Sequence, residues 1–582
     1  MSVEKLITEN LELWTGAITQ KSASGRGSSS KRELTGIKKL RELILELAVR
    51  GKLVPQNRLD VPAETIVRQL AVAKKRLISE GTIKAGKPLE PLPHVDDGHS
   101  PVLPQGWAWV RLGQTMEMYN GRAFKSSEWA TNGTPIVRIQ NLNDPLAPTN
   151  FIDAPVDPKN LIDDGTFLIS WSGTPGTSFG AFIWRRGKAA LNQHINKCEF
   201  FGDYLDKRFM QIAVNGQMAH FIQQAQGGVG LKHVTKGVLN NALIGLPPLA
   251  EQHRIVQKVD ELMALCDLLE QQTFESIEAH ERLVDTLLDT LARAANATEL
   301  AENWGRVQQH FDTLLTTEHS IDRLKQTILQ LAVMGRLVPQ DPDDDSVPSI
   351  LEGVASMRKD LRAKKKISPD KVIVDDPGLV ALKAPIPQNW KWCRLADIAT
   401  VVRGGSPRPA GDPRFYEGDI PFLKVADVTR AKGKFVEGYT ATIKEAGLSK
   451  TRFIDVRTVL LSNSGATLGI PAICDFPATF NDGIAAFIYL ADGVDDEFLH
   501  LYLRSKSQWF IEFASRGQGQ PNLNTDIIRA TWFPLPPLEE QQRIVARVDE
   551  LMTMCDSLNM QFCEANETLG QLASVVVEQV VQ

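Results

Sequence analysis

From Ile544 to the C-terminus, apolar residues recur at Ile544, Val548, Leu551, Cys555, Leu558, Phe562, Ala565, Leu569, Leu572 and Val576. This alternation of fours and threes predicts one long helix carrying a coiled-coil seam. An earlier stretch opens the same way with Ile255, Val259, Leu262, Cys266 and Leu269, then carries Thr273, Ser276 and His280 before Leu283 and Leu287 restore the register. About 35 residues at ~1.5 Å rise make each a rod of roughly 50 Å. Two related seams in one chain can pair with each other; the alternative is two amphipathic helices, each lying on its own globular domain. Helical spacing over 37–49 and 321–333 stops at Gly51 and Gly335, each followed by Leu-Val-Pro-Gln, the expected stop signal. Lys74-Lys75-Arg76 and Lys364-Lys365-Lys366 mark polar helices running into Pro-rich linkers at 88–104 and 377–387, and Ser22 to Ser30 reads as a flexible Gly/Ser connector.

Beyond each linker the period changes. Residues 135–141 (PIVRIQN) and 421–427 (PFLKVAD) alternate as strands, placing Val137/Ile139 and Leu423/Val425 on one face and Arg138 and Lys424 on the other. Residues 168–176 and 460–469 read as strands entering loops of small residues.

The chain also repeats itself. Residues 246–267 (LPPLAEQHRIVQKVDELMALCD) return at 535–556 with 16 of 22 positions identical. IKKLRELILELAVRGKLVPQ at 37–56 matches IDRLKQTILQLAVMGRLVPQ at 321–340, and PQGWAW at 104–109 matches PQNWKW at 387–392. A period near 285 residues is too long for a solenoid. One large unit is duplicated, and a shared frame carries two diverged inserts.

Composition adds that the chain is globular, with 43% hydrophobic and 23% charged residues. The polar start and the absence of an apolar run approaching the roughly 18 residues of a membrane span predict a cytoplasmic protein. Net charge is −5, unevenly placed. Residues 104–248 carry +3 and 386–537 carry +1, whereas 249–385 carry −8 and 538–582 carry −6. The frame holds the acid, and neither insert is basic enough to bind DNA through phosphate contacts alone. The six cysteines lack C-x-x-C spacing and read as buried thiols.

Catalytic motifs are missing. Gly81 to Pro88 follows the phosphate-loop pattern until Pro88 replaces the Ser/Thr that would meet Mg²⁺, and no strand precedes it. Neither the Asn/Asp-Pro-Pro-aromatic motif of amino-methyltransferases, nor H-E-x-x-H, nor G-x-S-x-G occurs. Asp157-Pro-Lys159 resembles only a fragment of a nuclease site.

The inserts instead offer polar groups on loops. The first holds Arg122, Lys125, Arg138, Gln140, Asn141, Ser172, Thr174, Asn192, Gln193, His194 and Lys232; the second holds Arg403, Ser406, Lys424, Asp427, Ser464, Thr467, Asn481, Asp482, Gln518, Gln520, Asn522 and Asn524. In a major groove Arg and Lys pair with guanine, Asn and Gln with adenine, and Asp with the cytosine amine. Each of these residue types also serves as a turn former or solvated loop residue. Trp107, Trp109, Trp390 and Trp392 read as core anchors.

The twin LPPL-x-EQ-x-R-I-V-x-x-V-D-E-L-M blocks, P-Q-x-W-x-W entrances and L-A-V-x-G-x-L-V-P-Q helices resemble the specificity subunits of type I restriction–modification enzymes over nearly the whole chain. The resemblance implies an α+β chain with two mixed α/β target-recognition domains, at 104–248 and 386–537. Conserved helices at 1–103, 249–385 and 538–582 separate them as an antiparallel coiled coil with pseudo-twofold repetition. It implies a non-catalytic subunit that reads a bipartite asymmetric site in double-stranded DNA. Two modification (methyltransferase) subunits and the restriction (endonuclease/translocase) subunits would dock on it, and those partners would use S-adenosylmethionine, ATP and Mg²⁺. No cofactor or metal is expected on this chain. A scaffold whose two inserts bind proteins rather than DNA is the competing reading.

Overall fold

The computed structural model describes residues 3–21, 31–92, 102–144, 146–173, 179–217, 232–294, 297–345, 347–367, 373, 379, 382–431, 433–465, 467–514 and 523–581. It divides into two compact units, Met1–Glu275 with Ala565–Gln582, and Ser276–Glu564. The boundary cuts both long helices. Leu249–Arg293 (45 residues) starts in the first unit and ends in the second, and Leu538–Val581 (44 residues) does the reverse. In the first core Ile255, Val259, Leu262 and Cys266 are buried with Ala573, flanked by Leu569, Val576, Val577 and Val580. In the second, Ile544, Val548 and Cys555 are buried with Val284, Leu288 and Leu291. Each core thus joins the start of one long helix to the end of the other, so the two helices run antiparallel. Three seam positions depart from the sequence pattern: Leu283 is 51% exposed whereas Val284 is buried, and in the C-terminal helix Ala565 is exposed and Leu572 is 48% exposed whereas Ala573 is fully buried. The end of this helix follows the 3.6-residue period of a straight helix rather than a strict heptad.

The first frame comprises helices Val3–Glu9, Leu11–Gly16, Thr35–Val49 and Ala63–Ser79. Thr35–Val49 buries Ile37, Leu40, Leu43, Ile44 and Leu47, one helical face. It ends at Gly51, at φ +67°, where the Lys52 N–H reaches back 2.9 Å to the Leu47 carbonyl. The second frame repeats this: Glu318–Val333 ends at Gly335, also at φ +67°, with the Arg336 N–H 3.0 Å from the Leu331 carbonyl. A Cβ on Gly51 would lie 2.6 Å from Pro104 and 2.8 Å from Trp107; one on Gly335 would lie 2.5 Å from Pro387 and 2.9 Å from Trp390. The helix-stop motif and the tryptophan entrance therefore pack against each other in both copies.

Helices Ala297–Gln309 and Phe311–Leu314 stand before the repeated helix of the second frame as Val3–Gly16 does before that of the first, a correspondence that the sequence did not reveal. Among the described residues only the first frame adds a hairpin, Ile18–Lys21 paired with Lys31–Leu34. The Gly/Ser connector at its tip lies outside the described residues. Gly81, in the apparent phosphate-loop pattern, instead terminates Ala63–Ser79, its N–H 3.1 Å from the Ile78 carbonyl.

The two inserts share one topology. In the first, Met116–Asn120, Ile195–Phe200, Phe167–Ser170 and Gly180–Ile183 form an antiparallel sheet in that spatial order. In the second, Thr400–Arg403, Ile484–Ile488, Thr458–Ser462 and Pro471–Cys474 form its equivalent. Each insert has another four-stranded sheet with one parallel pair, Thr134–Val137 with Ala189–Leu191, and Tyr416–Leu423 with Ala478–Phe480. Each is closed by its own ends: Ala108–Arg111 pairs with Leu243–Leu246, and Lys391–Arg394 with Trp532–Leu535.

One strand assignment needs correction. The first run ends as strand at Val137 and becomes helix at Ile139–Asn143; the second ends at Leu423 and becomes helix at Val425–Thr429. Asn141 Oδ1 accepts the Arg138 N–H (3.0 Å) and Asp427 Oδ2 accepts the Lys424 N–H (2.8 Å), which starts the helix that local alternation hid. The thiols also divide: five are buried and Cys563 is exposed. Trp107 and Trp390 are buried as anchors, while Trp109 and Trp392 are half-buried.

Candidate nucleic-acid interface

The repeated E-Q-x-R sequence fastens each insert to its frame. Glu251 and Glu540 are buried at the start of the long helices. Glu251 accepts the Trp107 indole N–H (3.0 Å) and the Gln56 amide (3.3 Å); Glu540 accepts the Gln340 amide (2.5 Å) and the Asn389 amide (3.3 Å). Burial raises both carboxyl pKa values, against the lowering effect of these donors. Gln252 accepts the Asp206 N–H at 2.9 Å, and Gln541 accepts the Asp495 N–H at 2.8 Å. Asp206 and Asp495 cap helices Lys207–Gly216 and Asp496–Ser505 of their inserts. Further along the same helices, Asp260 pairs with Arg208 (3.0 Å) and Asp549 with Lys434 of the second insert.

At the far end of the first insert the candidate loops converge. The Arg122 N–H donates to the Leu191 carbonyl (2.9 Å), the Asn192 N–H to Val137 (3.1 Å), and the Trp171 N–H to His194 (3.4 Å). Gly121 permits the approach, since a Cβ there would sit 2.2 Å from the Asn192 carbonyl oxygen. The second insert repeats the arrangement. Gly405 donates to Phe480 (3.1 Å), Asn481 to Leu423 (3.0 Å) and Asn463 to Gly483 (2.9 Å), and a Cβ on Gly404 would sit 2.2 Å from the Asn481 carbonyl oxygen. Arg122, Arg138 and Asn192 to His194 are thereby brought beside strand Ser172–Gly173, which pairs with Lys232–His233. Arg403, Ser406, Lys424, Ser464, Asn481 and Asp482 are grouped likewise.

Individual side chains have different fates. Asn141 and Asp427 are buried, 3% and 6% exposed, and spend their oxygens on the caps described above. Asn524 caps helix Thr525–Ala530 by accepting the Ile527 N–H at 2.9 Å. Arg122 is ion-paired to Glu128, whose carboxyl is held below its usual range by the Lys125 N–H and then by Arg122. Lys125 is exposed, and the exposed Gln140 amide donates to the Pro148 carbonyl at 3.0 Å. Gln193 lies 3.2 Å from the His194 ring. Arg403 donates to the Asp482 carbonyl (2.5 Å) and Ser406 to its carboxylate (2.7 Å). Ser464 is half-buried beside Gly483, and Thr467 is exposed. Thr174, Gln518, Gln520 and Asn522 lie outside the described residues, as does the side chain of Lys232.

Three residues at these loop ends were not picked out from the sequence. Trp129 is 43% exposed beneath the Arg138 guanidinium, Arg186 donates to the Asn141 carbonyl, and Arg408 pairs with Asp482 at 3.6 Å. No sequence signal marked them, because each acts through a partner distant along the chain. Asp157, the apparent nuclease fragment, caps a single turn by accepting the Lys159 N–H at 3.0 Å. Among the described residues no cluster of three or more His, Cys, Asp or Glu could hold a metal, and no helix is long and apolar enough to cross a membrane.

One scaffold built twice, presenting two modules of common topology and unlike loops, defines a protein with paired recognition modules. The chain belongs to the family described as the type I restriction modification DNA specificity domain, whose model matches residues 104–279 and again 387–562. It is 34% identical to the type I restriction enzyme EcoAI specificity subunit of Escherichia coli, over 99% of both chains. It is 32% identical to the EcoEI specificity subunit of the same organism, again over 99% of both. A solved chain from a study of assembly and conformational transition of the type I R-M system aligns over 83% of this chain and 99% of that one, at 19% identity and a TM-score of 0.46.

Proposed function

We propose that this chain is the DNA-reading, non-catalytic subunit of a type I restriction–modification complex, with residues 104–248 and 386–537 each reading one half of a bipartite, asymmetric site. The single observation carrying this reading is the duplicated scaffold beneath two inserts of equal topology and different loop chemistry. Equal topology puts both loop clusters in the same relation to their frames; different side chains make the half-sites unlike. The near-neutral inserts leave affinity to base reading and to partners.

The duplicated frame supports two copies of one partner, the modification subunit. A cleft lined by Gln56, Asp60, Gln105 and Pro248 recurs as one lined by Gln340, Asp344, Gln388 and Pro537. Restriction subunits would join that core. Methyl transfer and cleavage would belong to these partners, together with S-adenosylmethionine, ATP and Mg²⁺, and the complex would work in the cytoplasm. The antiparallel long helices would set the spacing of the half-sites, about one duplex turn or ~34 Å.

Co-expression with the cognate modification subunit and genome-wide mapping of adenine methylation tests this. A discontinuous motif that disappears on deletion of this chain is expected. A motif that persists without it would contradict the reading.

A further inference from the structure

We propose that Arg138, backed by Trp129, is the guanine-reading side chain of the first insert and that Lys424 holds the same post in the second. This rests on the DNA-reading function above and assigns a determinant within it.

Three observations carry the assignment. The first is the pedestal. Arg138 and Lys424 occupy the same place, between the last residue of the parallel-paired strand (Val137, Leu423) and the first of a short helix. The backbone N–H of each is tied by the side chain three residues later, Asn141 at 3.0 Å and Asp427 at 2.8 Å, both buried. Neighbouring carbonyls are tied too, Val137 by the Asn192 N–H (3.1 Å) and Leu423 by the Asn481 N–H (3.0 Å). Each cation therefore rises from backbone fixed on both sides, within the loop cluster.

The second observation is charge. Four nearby arginines are engaged, while Lys125 is exposed: Arg122 by Glu128, Arg186 by the Asn141 carbonyl, Arg403 by the Asp482 carbonyl and Arg408 by the Asp482 carboxylate. Among the described residues no carboxylate or carbonyl accepts from the side chain of Arg138 or Lys424. Five guanidinium donors in a fixed fork remain for an incoming acceptor, and guanine O6 and N7 match that fork.

The third is Trp129. Its indole is 43% exposed, and the ring lies 5.7 Å from the Arg138 guanidinium carbon, within cation–π reach. Stacking orders the long side chain before DNA arrives, so less rotamer freedom is lost on binding. Trp129 is thus a positioning residue for Arg138. Among the described residues no ring lies against Lys424, whose ammonium is a point charge on a flexible stem.

The test uses the full chain with its modification subunit, reading genome-wide methylation and binding to duplexes with every base substituted singly in both half-sites. Arg138→Ala and Arg138→Lys should each erase preference for guanine at one position of the first half, lowering affinity for the original base by about tenfold or more. The second half should be unaffected. Trp129→Ala should weaken preference at that same position, and Trp129→Phe should restore most of it. Lys424→Ala should relax one position of the second half only. A uniform loss on all sequences with a salt slope reduced by about one would make Arg138 a phosphate contact and overturn the proposal. So would an unchanged motif, or a change in both halves. A wild-type complex with no discontinuous motif would remove the underlying reading; a normal wild-type motif with unaltered Arg138 variants would sink this assignment alone.

Discussion

Arg543 grips Asp344 through two hydrogen bonds of 2.8 and 2.7 Å, and the pair repeats in the other frame as Arg254 with Asp60. Asp344 keeps only 5% of its side-chain surface exposed, so loss of its partner strands a carboxylate away from water. Arg543→Met should destabilise the second unit by about 2–3 kcal/mol. Hydrogen exchange checks this: faster exchange through 318–333 and 540–555, with 37–49 unaltered, is expected. Equal loosening of both units would contradict it.

Acid should weaken the second unit through His500. It is 3% exposed, and burial first, then Arg504 and Lys434, lower its pKa to about 4, despite the opposing effects of the Pro471 backbone and Glu497. Below the ordinary value of 6.5 the unfolded chain takes up a proton that the folded chain refuses. Stability is therefore lost as pH falls from about 6.5 towards 4, by up to roughly 3 kcal/mol. Urea midpoints at pH 7 and pH 5 for wild type and His500→Phe should show a smaller acid loss in the variant. Parallel losses would contradict the assignment.

The exchanged helix ends predict an effect at long sequence range. Asn566 bonds both backbone groups of Ile18, accepting its N–H at 2.9 Å and donating to its carbonyl. Ala573 is fully buried in the same core as Trp14 and Ile37. Removing residues 565–582 should strip protection from amides in 11–16 and 35–49 while leaving 458–488 protected. Asn566→Ala alone should cost about 1–2 kcal/mol. Undiminished protection near Trp14 in the truncated chain would refute the exchange.

Much of this architecture was legible because burial writes itself into spacing. The glycine stops and the duplicated blocks survived folding as read, and the seams held at Ile255 to Cys266 and Ile544 to Cys555 but moved by one residue at Leu283 and Leu572, where Val284 and Ala573 are buried instead. The strand-to-helix switch at Arg138 and Lys424 did not, since two alternating residues after a strand look like more strand until Asn141 or Asp427 is seen capping a helix. The kinship of Val3–Gly16 with 297–314 was hidden because Trp14 and Leu314 fill their cores with different side chains. Glu251 and Glu540 stood out by repetition, yet their buried bonds to Gln56 and Gln340 depend on chain brought in from far away. At the loops, residue type alone could not separate Asn141, a buried cap, from Arg138, whose side chain meets no acceptor among the described residues.

On the proposed reading, the paired long helices would fix the distance between the two half-sites. Deleting one heptad from each at equivalent places, 269–275 and 558–564, shortens the pair by about 10 Å. That is roughly three base pairs at about 3.4 Å each. Methylation mapping of this variant should return both half-site sequences unchanged, with the unread spacer shortened by about three base pairs. Full methylation at the original spacing would contradict the account.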